Sequence, residues 1–164
     1  MKKLAIFASG NGSNAENIVT YFKGRTDVVV SLILTNSSKA GVLERADNLG
    51  VKSIVFNREE FTENSKVDKL LEEFKIDYII LAGFLWLIPD FMVNKFTNRI
   101  VNIHPALLPK YGGKGMFGMN VHHSVISAGE THSGISIHYV NNNYDEGQII
   151  FQAKVSIDNL DTAE

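Results

Sequence analysis

Through the first hundred residues, short runs rich in Ile, Val and Leu alternate with stretches whose apolar positions recur at helical spacing, and this alternation limits the chain to one kind of architecture. The runs cover residues 4–8, 28–34, 51–56, 78–82 and 100–103. They are largely apolar on both alternations, as strands buried on both faces should be. Between them, residues 14–23 place Ile18, Val19 and Phe22 on one side; residues 41–49 do the same with Val42, Leu43, Ala46 and Leu49, and residues 67–74 with Val67, Leu70, Leu71 and Phe74. Strand, helix and strand repeated in this way require right-handed crossovers. The expectation is therefore an α/β fold, a mostly parallel sheet with helices on both faces.

The C-terminal part breaks the rhythm. Residues 133–140 and 148–157 read as two longer strands separated only by the polar residues 141–147, a spacing that suits a C-terminal antiparallel hairpin. With 164 residues, 45% of them hydrophobic, the chain is long enough for one self-sufficient core, and a single domain over 1–164 is expected. The longest apolar run, 78–88, stops at Pro89 and falls short of the roughly 20 residues of a membrane span. The Met1-Lys2-Lys3 start leads into an apolar stretch, 4–8, that is shorter than the roughly 7 to 15 residues of a secretory signal core. A cytoplasmic protein with no membrane partner is expected. A formal charge of -2 with scattered Lys and Arg offers no basic face for nucleic acid. The absence of cysteine removes disulfides, thiolate metal sites and a cysteine nucleophile together.

Ser9-Gly10-Asn11-Gly12-Ser13-Asn14 joins the first strand to the first helix. Glycines there allow positive φ and close approach of a ligand, and the free N–H groups of a helix start attract an anion. With Ala15 the run also satisfies the dinucleotide pattern G-x-G-x-x-A, which calls for an acid about 20 residues on, at the end of the second strand. That region reads Leu34-Thr35-Asn36-Ser37-Ser38, with no acid before Glu44. A single phosphate held by Gly12, Ser13 and Asn14 fits better than a dinucleotide. The competing reading is an ordinary turn with Ser13 or Asn14 as N-cap.

All five histidines fall between positions 104 and 138. Neither H-x-x-x-H nor H-E-x-x-H occurs, and adjacent His122 and His123 would point to different sides of a helix, so no metal site is expected. His132 and His138 would share one strand face and read as hydrogen-bonded structural residues. His104 differs, because Asn102-Ile103-His104-Pro105 ends the fifth strand and alternation sends Asn102 and His104 to one face. An amide donor beside an imidazole can polarise a carbonyl and move a proton, the needs of acyl transfer. Strand-end capping is the alternative role for the pair. A carboxylate at the tip of the last hairpin could complete the set, with Asp145 and Glu146 tied on sequence alone. The glycine-rich segment 105–119 begins just beyond this strand end, and a loop that long in a compact domain is usually functional or mobile.

The segments SGNGSN, LAGFLWLIP, VNIHPALLPKYGGKG and HYVNNNYDEGQIIFQAKV, in that order along the chain, resemble the formyltransferase family, and the early G-N-G-S-N points to its phosphoribosylglycinamide formyltransferase branch. The resemblance implies a Rossmann-like α/β fold and transfer of a formyl group from 10-formyltetrahydrofolate, as co-substrate, to the amine of glycinamide ribonucleotide in purine synthesis. It makes Asn102 the amide that polarises the formyl carbonyl, His104 the proton donor and acceptor, and Asp145 the carboxylate that tunes the imidazole and relays protons through an ordered water. Gly12, Ser13 and Asn14 match phosphate-holding positions, and Leu85, Trp86, Leu87 and Ile88 match the lining of the folate pocket. No metal is implied, and either a monomer or a homodimer is compatible with the family.

Three features depart from the family pattern. Trp86 stands where many relatives carry arginine. The segment after Tyr111 is longer than the compact K-Y-x-G form, so Gly118, Met119 and His122 map only loosely onto substrate-contacting positions. No residue aligns with the basic one that relatives place before the fourth strand, for which Lys66 is the stand-in considered. Two other functions stay open: a formyltetrahydrofolate deformylase-like hydrolase, and a non-catalytic nucleotide-binding module that would need the glycine turn but not Asn102 with His104. Asp161-Thr162-Ala163-Glu164 has the capping-box form of a helix start. The expectation is a domain lacking its C-terminal helix, with an apolar sheet face left exposed.

Overall fold

The computed structural model describes residues 1–158 and 160–163, which divide into two compact units, Met1–Ile100 and the residues from Val101 on. The first unit runs β1 (Lys2–Phe7), α1 (Ser13–Phe22), β2 (Val28–Thr35), α2 (Val42–Leu49), β3 (Ser53–Val55), α3 (Lys66–Glu73), β4 (Tyr78–Leu81) and α4 (Asp90–Lys95). Its strands lie in the order β3-β2-β1-β4 and every pair is parallel, with Ile6 level with Ile33 on one side and Ile80 on the other. The alternating helices and parallel strands inferred from the apolar runs are present.

The pleat of β1 explains why the unit has two cores. Leu4, Ile6 and Ala8 face one way and pack with Ala15 and Val19 of α1 and Val42 and Ala46 of α2. Phe7 faces the other way, fully buried, against Phe56, Phe61 and Phe84 with ring centroids 5.9, 6.0 and 5.3 Å away. Trp86 extends this aromatic cluster, 5.8 Å from Phe56. On α3, Val67 and Leu71 are buried as the periodicity requires. Asp68 is buried too: its Oδ1 accepts from Lys95 Nζ at 2.5 Å and its Oδ2 from the Asn64 N–H at 3.1 Å, so its charge is paired.

The second unit takes up β5 (Ile100–His104) from Val101 and continues through α5 (Met119–Ser127), β6 (His132–Tyr139) and β7 (Ile149–Ser156). Both strand pairs are antiparallel, β5 with β6 and β6 with β7, so the expected C-terminal hairpin is present. Ala106, Val121 and Val125 form its small core with Tyr111, Met116 and Ile157 packed on it. Every residue of β7 is exposed, Phe151 and Val155 included. Of the expected helix start at the end, Glu164 lies outside the described residues. Among the described residues, no helix is long and apolar enough to cross a membrane.

Two helices go beyond the periodicity of the sequence. α4 has six residues, too few to show a helical repeat, and starts directly after Pro89 in extended conformation. α5 opens inside the glycine-rich segment and buries only Val121 and Val125. Phe7→Ala should lower the unfolding free energy by about 3–5 kcal/mol, because it removes the ring at the centre of the aromatic cluster. Urea titration followed by circular dichroism checks this, and a loss below about 1 kcal/mol would mean that the cluster repacks without it.

Candidate active site

Antiparallel register assembles the chemistry of the second unit. Asn102 lies opposite His138 and His104 opposite Ser136, so all four side chains share one face of the β5–β6 pair. Asn102 Nδ2 lies 3.0 Å from His138 Nε2, and it donates to Asp145 Oδ1 at 3.3 Å. His138 Nδ1 donates to the Tyr139 carbonyl oxygen at 2.8 Å, which leaves Nε2 facing both the Asn102 amide and, at 3.5 Å, Asp145 Oδ1. With the amide turned round, its oxygen would face the Asp145 carboxylate. The carboxylate thus fixes the direction of the Asn102 side chain.

Asp145 is the carboxylate of the hairpin tip. Glu146, its rival on sequence, is exposed and accepts from Asn143 Nδ2 at 2.8 Å instead. Asp145 adopts φ 57°, in the left-handed region, and turns its side chain inward. Gly147 two residues later has no room for a side chain, since a Cβ there would stand 1.7 Å from the Tyr139 carbonyl oxygen. The D-x-G spelling of the tip thus has a steric cause. Burial pushes the Asp145 carboxyl up, but the His138 ring, the Gly113 N–H and the charges that His104 and His138 can carry outweigh it, and together they hold the group below the usual carboxylate range.

His104 is buried and held at both nitrogens. Nε2 donates to the Tyr111 carbonyl oxygen at 2.7 Å, and Nδ1 faces Asp145 Oδ2 at 3.5 Å. A proton taken up at Nδ1 would therefore point at a carboxylate. The segment that covers this histidine is itself anchored: Ser136 Oγ donates to Ala106 O and accepts the Leu108 N–H, Gly113 N–H donates to Asp145 Oδ2 at 3.0 Å, and Tyr111 OH and Lys110 Nζ both donate to Glu130 Oε1. The structure thus brings Asn102, His104 and Asp145 together, and adds His138. The sequence pattern alone gives that fourth residue only a structural role. The signal that could have found it is the register of a hairpin folding back on β5, which sets position 138 beside position 102.

Apart from Gly118, Met119 and His122, the other sequence candidates lie in the first unit. Gly12, at φ 82°, is the N-cap of α1, and Ser13 and Asn14 open the helix with exposed side chains; neither of them is the cap residue itself. The Gly12 backbone lies tight against α2, with a would-be Cβ 2.5 Å from Val42 Cβ. Beyond β4, Leu85 and Leu87 are exposed, whereas Ile88 is buried and Trp86 is partly so. The Leu85 N–H donates to Ser9 Oγ at 3.0 Å, and the Arg58 guanidinium lies 4.0 Å over the Trp86 ring. Lys66 Nζ is engaged by Val55 O and Glu60, Met119 starts α5 exposed beside Gly118, and His122 lies one turn into that helix. Among the described residues, no group of His, Asp and Glu side chains is arranged to hold a metal ion.

An amide, an imidazole and a carboxylate converge at this strand end, groups that together can stabilise an oxyanion and move a proton. The chain belongs to the formyl transferase family, whose model matches residues 2–164. It is 40% identical to the chloroplastic phosphoribosylglycinamide formyltransferase of Arabidopsis thaliana over 99% of its length, and 36% identical to the phosphoribosylglycinamide formyltransferase of Bacillus subtilis over all of it. It spans 58% of the plant relative and 84% of the bacterial one. A crystal structure of phosphoribosylglycinamide formyltransferase from Streptococcus pneumoniae superposes with a TM-score of 0.84, at 39% identity, covering 99% of this chain and 87% of that one.

The lowered Asp145 pKa has a consequence for stability. A carboxyl that ionises more readily folded than unfolded adds stability above its unfolded pKa and loses it as the pH falls through the folded value. The urea midpoint should therefore drop between about pH 5 and about pH 3, and drop less in Asp145→Asn. Parallel pH curves for the two proteins would show that the carboxylate carries no folding linkage.

Proposed function

We propose that the chain transfers the formyl group of 10-formyltetrahydrofolate to the amine of glycinamide ribonucleotide, as a cytoplasmic enzyme. The observation that carries this reading is the convergence of Asn102, His104 and Asp145, supported by membership of the formyl transferase family. The amine nitrogen attacks the formyl carbon and a C–N bond forms. Asn102 Nδ2 donates to the carbonyl oxygen as it becomes an oxyanion. The proton released by the amine passes to the His104–Asp145 pair, directly or through an ordered water, and returns to the folate nitrogen as its bond to the formyl carbon breaks. The products are tetrahydrofolate and the formylated nucleotide, with no net proton gained or lost.

In the same reading, the backbone N–H groups of Gly12, Ser13 and Asn14 receive the nucleotide's phosphate, to which the partial positive charge of the α1 N-terminus also contributes. Leu85, Trp86, Leu87 and Ile88 line the folate pocket. With Ile88 turned into the core and Trp86 packed among Phe56, Phe61 and Phe84, the segment contributes its backbone and the exposed Leu85 and Leu87. The chemistry asked of these residues needs no metal.

Formation of tetrahydrofolate from the formyl folate, measured with and without glycinamide ribonucleotide, tests the proposal. Strict dependence on the nucleotide is expected, and equal rates without it would identify a hydrolase instead. His104→Ala should lower turnover by about 10²–10⁴-fold, and Asn102→Ala by about 10²–10³-fold. Both substitutions remove buried hydrogen bonds, so circular dichroism at the assay temperature checks that each variant is folded. Wild-type turnover in both variants would remove the strand-end pair from the mechanism.

A further inference from the structure

The glycine turn before α1 is gripped by the neighbouring helix. Arg45 on α2 donates from Nε to the Asn11 carbonyl oxygen at 2.9 Å and from Nη2 to Asn11 Oδ1 at 2.7 Å, while its Nη1 pairs with Glu16 Oε2 on α1. The start of the same helix adds two further contacts. The Val42 N–H donates to Gly10 O at 3.2 Å, and the Val42 side chain fills the space where Gly12 lacks one. α2 therefore touches every residue from Gly10 to Gly12.

The capture of Asn11 has a direct effect on the next residue. Its carbonyl group and the Gly12 N–H belong to one planar peptide unit, so fixing the oxygen fixes the direction in which the Gly12 N–H points. A guanidinium with two donors on one residue sets both the main chain and the side chain, which a single ammonium cannot do. Glu16 already balances the charge of Arg45, so the arginine acts by holding the turn more than by attracting an anion.

Resting on the reading of this turn as a phosphate site, we propose that Arg45 is a positioning residue for phosphate recognition. By locking the Asn11–Gly12 peptide plane, it keeps the N–H groups of the turn aimed before the ligand arrives, and the ligand is spared the cost of ordering them.

Calorimetric titration with glycinamide ribonucleotide, with the phosphate-free glycinamide riboside and with the formyl folate separates this role from a structural one. In Arg45→Met the Kd for the ribonucleotide should rise about 10-fold, while the riboside and the folate bind as they do to the wild type. Arg45→Lys keeps the charge but cannot hold both oxygens, so it should fall between the two and provides the measurement if the Met variant does not fold. Retention of the wild-type preference for nucleotide over riboside in these variants overturns the proposal, and so does an equal loss for all three ligands. If the wild-type protein itself shows no preference for the phosphate-bearing ligand, the phosphate reading fails and the proposal fails with it.

Discussion

Asp145 stands in the left-handed region at the tip between β6 and β7, and its two carboxylate oxygens take different donors, the Asn102 amide on Oδ1 and the Gly113 N–H on Oδ2. The rest of the site depends on that division. The first contact fixes the direction of the Asn102 side chain. The second ties the segment after Pro109 to the hairpin, and this segment in turn presents the Tyr111 carbonyl to His104. A neutral carboxylic acid would have one oxygen that donates, and it would meet a donor on each side. Ionised Asp145 is the state these neighbours accept, which agrees with its pKa lying below the ordinary range despite burial.

The first unit solves a different problem, that of presenting backbone groups. The β-strands carry apolar side chains in both directions, so the polar chemistry of this unit is confined to the connections beyond the strand ends. After β1 the chain makes the glycine turn, and after β4 it runs through Gly83 to Ile88. These two connections are tied to each other: the Ser9 N–H donates to Gly83 O at 3.0 Å, and Ser9 Oγ accepts the Leu85 N–H at the same distance. The aromatic cluster of Phe7, Phe56, Phe61, Phe84 and Trp86 fixes the second connection from beneath, with Arg58 stacked on the indole. A tryptophan at position 86 is accommodated by a hydrophobic platform, and the cation beside it comes from position 58.

How much of this can be read from the sequence depends on the range of each interaction. Strands and helices with long apolar repeats, such as β2 and α3, declare themselves locally. The run at 51–56 is reduced to the three residues of β3, because strand length is set by the partner that β2 offers. α5 carries only Val121 and Val125 as buried residues, too weak a pattern to stand out after a run of glycines. The pairing of Asn102 with His104 is a matter of alternation within one strand and is legible. His138 is not, because it enters through register with another strand. Arg45 is 34 residues from Asn11, and nothing in its own helix marks it apart from any exposed arginine.

His138 also constrains how Asn102 can work. The amide has two hydrogens, and one faces His138 Nε2 at 3.0 Å while the other goes to Asp145 Oδ1 at 3.3 Å. On the proposed reading, a formyl oxygen that takes an Asn102 hydrogen displaces one of these bonds. The bond to Asp145 is the longer of the two, and the carboxylate keeps its Gly113 N–H when it is given up. The exchange therefore falls on Asp145. In the proposed reaction this exchange at Oδ1 leaves undisturbed the other carboxylate oxygen, Oδ2, which faces His104 Nδ1 at 3.5 Å and holds the Gly113 N–H.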